Sequence, residues 1–107
     1  VLALDSKNGL LNRHMASMGL VDASLVHPRE VFRNAVENSA SAILLVHNHP
    51  SGDPTPSAED IRITKQLIGA GKILDIKVLD HVVLGRQDSS GAPGFCSLRE
   101  AGMVDFE

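Results

Sequence analysis

The sequence predicts an α/β domain, a mixed β-sheet with helices packed on it, and three observations carry that prediction. Asn8-Gly9 stands between two apolar runs, a β-hairpin signal because both residues accept positive φ. Residues 42–46, Ala-Ile-Leu-Leu-Val, are a continuous apolar run of strand length, the pattern of a strand buried on both faces. Between them Val31, Phe32, Ala35, Val36 and Ala40 recur with helical period behind Pro28, a residue suited to a first helical turn.

The elements follow in order. Residues 1–5 are a short apolar strand that stops at Ser6-Lys7-Asn8-Gly9, and residues 10–18 are its partner. Residues 19–26 are a connection or a further short strand. After the first helix and the 42–46 strand comes a loop, 47–56, punctuated by three prolines and a glycine. Ser57 opens a second helix, with Asp60 as the acid at the third helical position of a cap. Gly69 or Gly71 is its expected terminator. Residues 76–84 form another strand, 87–94 a polar loop and 95–98 a last short strand. Ser97-Leu98-Arg99-Glu100 repeats the capping pattern and predicts a brief terminal helix.

A length of 107 residues fits one domain, and a composition 43% hydrophobic and 21% charged fits a globular one. One cysteine, Cys96, allows no internal disulfide, which suits a reducing compartment, the cytoplasm. No stretch approaches the ~20 apolar residues of a membrane span, so no membrane partner is expected. The net charge of −3, the dispersed basic residues and the absence of Trp and Tyr argue against phosphate contacts and base stacking. Nucleic acid is therefore not expected as a partner of this domain alone. The chain opens at Val1 in what reads as a strand, without Met, so residues 1–107 are expected to be the C-terminal domain of a longer chain.

Chemistry concentrates after Val46: His-Asn-His-Pro-Ser-Gly-Asp-Pro-Thr-Pro-Ser-Ala-Glu-Asp. His47 and His49 lie two apart at a strand end, where period two puts both side chains on one face. Asp60, in the first turn of the next helix, can face that strand end. Two imidazoles and a carboxylate leave a fourth tetrahedral position for water, the mark of a catalytic zinc site. An isolated His-x-His is more often a pair of loop histidines, and Asp60 alone could merely complement the helix dipole. The three in register favour ligation. Ser57 is a good N-cap whatever else it does, and capping alone and capping with a catalytic role both stay open.

His47, His49, Ser57 and Asp60 stand at the spacing of the JAMM signature of MPN metalloproteases, His-x-His, seven residues, Ser, two residues, Asp. His27-Pro28-Arg29-Glu30-Val31, His47 to Pro54, Leu79-Asp80-His81 and Ser97-Leu98-Arg99-Glu100 together resemble the RadC family over nearly the whole chain. The resemblance implies a cytidine-deaminase-like JAMM/MPN architecture, with His47, His49 and Asp60 as zinc ligands and Ser57 supporting the bound water or the oxyanion. It implies hydrolysis of a peptide or isopeptide bond, although the family name refers to DNA repair. It also implies a general-base Glu just before the first strand, upstream of Val1. Glu30 is the nearest acidic substitute by sequence, but the resemblance does not give it that role. Two other readings remain: a DNA-associated protein whose metal site is a nuclease site or non-catalytic, and a binding module with a structural metal. His81 reads as a surface or hydrogen-bonded histidine, His14 and His27 as structural, Cys96 as a small buried apolar residue and Asp53 as a turn residue.

Overall fold

A computed structural model describes residues 1–7, 9–13, 27–49, 51–86 and 94–107. Asn8, His14, the end of the expected second strand, the 19–26 connection and most of the 87–94 loop lie outside the described residues. Five strands pair in one mixed sheet among the described residues: β1 (Leu2–Leu4), β2 (Leu10–Arg13), β3 (Ala42–Asn48), β4 (Lys77–Leu84) and β5 (Phe95–Ser97). Their order is β2-β1-β3-β4-β5. The β3–β4 pair is parallel and the others are antiparallel. Two helices, α1 (Pro28–Glu37) and α2 (Ala58–Leu74), complete the αβαβ order the sequence predicts.

The β1–β2 hairpin is organised by Asp5, whose Oδ1 accepts the N–H groups of Lys7 (2.9 Å) and Gly9 (2.8 Å). In α1, Val31, Phe32 and Ala35 face inward, while Val36 is 55% exposed at the edge of the apolar stripe. The helix ends at Glu37 with Asn38 as its C-cap, and Ser39 beyond it takes the left-handed conformation at φ 53°, with Ala40 N–H returning to the Ala35 carbonyl at 2.9 Å. That turn delivers the chain directly into β3.

Helix α2 does not stop at either glycine; it runs to Leu74 and closes on Asp75 at φ 57°. Gly71 serves close packing instead. A Cβ there would sit 2.4 Å from the Ile76 carbonyl and 3.4 Å from both Phe32 and Val78. Helix, helix and sheet therefore meet at a residue without a side chain. The buried apolar residues of both helices and the sheet form a single cluster that includes Ile43, Leu45, Leu67, Val78, Val83 and Leu98. The segment after β5 forms turns rather than the expected helix: Ala101 N–H reaches the Ser97 carbonyl at 3.0 Å, and Ser97 Oγ caps Glu100 N–H. No helix among the described residues is long and apolar enough to cross a membrane.

Candidate metal centre

Along β3 the buried residues Ile43 and Leu45 share a face, and period two carries that face on to His47 and His49, both partly buried. His49 lies one residue past β3, but its N–H bonds the Leu84 carbonyl at 2.9 Å, so it keeps the register of the ladder. The two rings stand edge to face with centroids 4.9 Å apart. Asp60 comes from the first turn of α2 and is 1% exposed.

Ser57 sets Asp60 in place through a reciprocal capping box. The Asp60 N–H donates to Ser57 Oγ at 3.1 Å, and the Ser57 N–H donates to Asp60 Oδ2 at 2.8 Å. Asp60 Oδ2 also meets His49 Nε2 at 2.9 Å, and Oδ1 lies 3.9 Å from His47 Nε2. One potential ligand atom from each of His47, His49 and Asp60 lies within 4.8 Å of the others, the one such group of His, Cys, Asp and Glu among the described residues.

Hydrogen-bond chemistry shows what this arrangement accepts. His49 Nδ1 faces the Asp53 carbonyl at 2.9 Å, and a carbonyl can only accept, so Nδ1 carries a proton. In a neutral ring Nε2 then presents a lone pair, and it points at a carboxylate oxygen 2.9 Å away. Two electron-rich atoms in that position need a cation between them, a proton or a metal ion. A donor set of two imidazoles and a carboxylate, one imidazole fixed through its other nitrogen, fits a divalent metal.

Burial pushes the Asp60 carboxyl up, but the Ser57 hydrogen bonds and the fields of His47 and His49 outweigh it, and the net shift is downward. Burial lowers the His47 imidazole against the pull of Asp60, with His49 adding to the drop. Both shifts favour the unprotonated forms a metal needs.

The loop that returns from β3 to α2 rests on the end of β4. Gly52 adopts φ 88°, and its carbonyl accepts the Arg86 N–H at 2.7 Å. A Cβ on Gly85 would lie 2.4 Å from that same carbonyl. This close backbone contact holds the loop that offers the Asp53 carbonyl to His49. The Asp53 side chain does what a turn residue does: its Oδ1 accepts the N–H (3.0 Å) and hydroxyl (2.7 Å) of Thr55.

Sequence reasoning missed two residues beside the centre. Thr64 lies one helical turn after Asp60 and is fully buried. Its hydroxyl is 2.6 Å from the Asp60 carbonyl and 2.6 Å from His81 Nδ1. His81 is hydrogen-bonded, as one of its two readings expects, but it is buried at 4% exposure rather than on the surface. Burial lowers its pKa to about 4, so the ring is neutral. Its centroid is 6.0 Å from that of His47. The spacing Asp60 to Thr64 was available as a signal; the inward turn of His81 was not. Glu30 is exposed in the first turn of α1 and is not a member of the ligand group.

Among the described residues a five-stranded mixed sheet, two helices and a His-His-Asp cluster at the end of a parallel strand define a small α/β domain with a candidate metal centre. The chain belongs to the RadC-like JAB domain family, whose model matches residues 1–103. It is 55% identical over 107 residues to a UPF0758 protein of Caldanaerobacter subterraneus, covering 100% of this chain and 43% of that protein. It is 53% identical over 104 residues to one from Syntrophomonas wolfei, covering 97% of this chain and 42% of the relative. A UPF0758 protein of Geotalea uraniireducens is 55% identical over 103 residues, 96% of this chain and 42% of the relative. The chain thus spans less than half the length of these relatives.

Proposed function

We propose that this domain is a zinc-dependent hydrolase that cleaves a peptide or isopeptide bond with an activated water. The observation that carries the reading is the opposition of His49 Nε2 and Asp60 Oδ2 at 2.9 Å, with His49 Nδ1 already committed to the Asp53 carbonyl. That geometry supports a cation held by His47, His49 and Asp60. Zinc held there would supply Lewis acidity and would activate water as a nucleophile near neutral pH.

The chain's own residues then have separable tasks. His47 and His49 supply neutral nitrogens from one strand face, and Asp60 supplies charge from a helix terminus. Ser57 Oγ accepts the Asp60 N–H, which leaves its own proton free to donate to an oxyanion at the reacting carbonyl. The resemblance to JAMM enzymes implies proton transfer by a Glu upstream of Val1, and Glu30 is exposed and outside the cluster. The substrate is a peptide or protein, and the single cysteine suits work in the cytoplasm.

The test compares this chain with a version extended upstream through the acidic residue before the first strand, each loaded with Zn2+ and offered a library of peptides and isopeptides. Both should bind Zn2+ equally, since the base is not a ligand. The extended protein should turn over about 10²- to 10⁴-fold faster, and a chelator should abolish cleavage. A Zn2+-loaded extended protein that cleaves nothing in the library would remove the hydrolase reading. Equal rates for the two would place the base inside this chain.

A further inference from the structure

β4 departs from strict alternation at one place. Ile43 pairs with Val78 but Leu44 pairs with Asp80, so β4 holds one extra residue. Period two from buried Val78 would turn Asp80 and Val82 inward and His81 outward. The bulge reverses this: His81 and Val83 are buried at 4% and 0%, and Leu84 is 40% exposed. Bulges re-aim side chains in this way. The bulge is itself held in shape. Asp80 Oδ1 accepts the N–H groups of His81 (2.7 Å) and Arg99 (3.1 Å), and the Ser97 hydroxyl bonds its Oδ2.

The re-aimed ring meets Thr64 on α2, whose hydroxyl also reaches the carbonyl of Asp60. Beyond Asp60, which meets His49 directly, helix α2 gives the core apolar residues such as Ile63 and Leu67, and apolar contact is non-directional. A metal site needs its ligands held within about 0.5 Å. A buried hydrogen bond from β4 to Thr64, one turn beyond Asp60 and bonded to its carbonyl, adds a directional contact that does not depend on the ligands themselves.

We infer that Thr64 and His81 are positioning residues of the metal centre, a buried tie that fixes the first turns of α2, and hence the Asp60 carboxylate, relative to His47 and His49. The inference rests on reading the site as a metal centre. A pair that merely satisfies itself in the core behaves differently: replacing both partners by apolar groups of similar shape is close to neutral.

The experiment measures Zn2+ affinity by chelator competition, and the melting temperature of the metal-free protein, for the wild type, Thr64→Ser, Thr64→Val, His81→Asn, His81→Leu and the Thr64→Val/His81→Leu pair. Thr64→Ser and His81→Asn keep hydrogen-bonding groups and should bind Zn2+ within about threefold of wild type. Thr64→Val, His81→Leu and the pair should each weaken binding about 10-fold, the lower end for partners of metal ligands. The pair should be no weaker than the worse single variant, and its metal-free melting temperature should stay near the wild type's. Thr64→Val binding as tightly as Thr64→Ser overturns the inference, a comparison that stands even where the paired variant fails to fold. A loss at His81→Leu far beyond that at Thr64→Val also overturns it, by making His81 a ligand. A wild type that binds no Zn2+ removes the metal reading itself.

Discussion

Acid should destabilise the metal-free protein well above the range in which its carboxylates titrate, and His81 is the reason. Its ring is buried and neutral, with a pKa lowered from 6.5 to about 4 by loss of hydration. Between those values the unfolded chain binds a proton that the folded chain refuses. Stability is therefore fully present above pH 6.5 and is lost as the pH falls to about 4. At about 1.4 kcal/mol per unit, the shift is worth about 3 kcal/mol. His47 is displaced in the same direction and adds to the loss. Asp60 does not, because a lowered carboxyl gives up its contribution only below its ordinary 3.8. Urea unfolding in EDTA at steps from pH 7 to pH 4 reads the effect. The wild type should lose about 3 kcal/mol more than His81→Leu over that range. Parallel curves for the two proteins would show that His81 is not buried neutral beside Thr64.

Three further outcomes follow from the packing and charge. Gly69→Ala and Gly71→Ala should have opposite signs two residues apart in one helix. Gly69 has open space and should gain about 0.5–1 kcal/mol; Gly71, where an added Cβ would run into the Ile76 carbonyl, should lose about 1–3 kcal/mol in the same chemical denaturation. Ser57→Ala should cost about 1 kcal/mol as a lost cap and weaken Zn2+ binding through the loosened Asp60, and if Ser57 also serves the reaction, turnover of the Zn2+-saturated protein should drop as well. Duplex and single-stranded DNA should bind this chain more weakly than micromolar at ~150 mM salt, an expectation drawn from the net charge of −3 and the lack of basic clusters, and submicromolar binding would restore the DNA-associated reading.

The parts of the fold governed by local chemistry were legible in the sequence. The hairpin, the order αβαβ and the opening of both helices follow from turn residues, caps and period. The cluster of His47, His49 and Asp60 was legible because strand period and a helix cap both act within a few residues. What failed depends on tertiary contact. Gly71 carries the same signal as a helix terminator and as a close approach, and only the Ile76 carbonyl distinguishes them. His81 follows the wrong parity unless the extra residue in β4 is known, and that bulge is fixed by Asp80 bonds to Arg99 and Ser97, far along the chain. The Asp53 carbonyl that orients His49 is a backbone group, on which side-chain motifs are silent.

The most direct test of the metal centre is Zn2+ titration of the metal-free chain with X-ray absorption on the loaded protein. One Zn2+ per chain is expected, coordinated by two imidazole nitrogens, one carboxylate oxygen and one solvent oxygen. Binding should vanish in the His47→Ala/His49→Ala variant. Stoichiometry that survives that variant, or a site closed by a fourth protein ligand, would contradict the account.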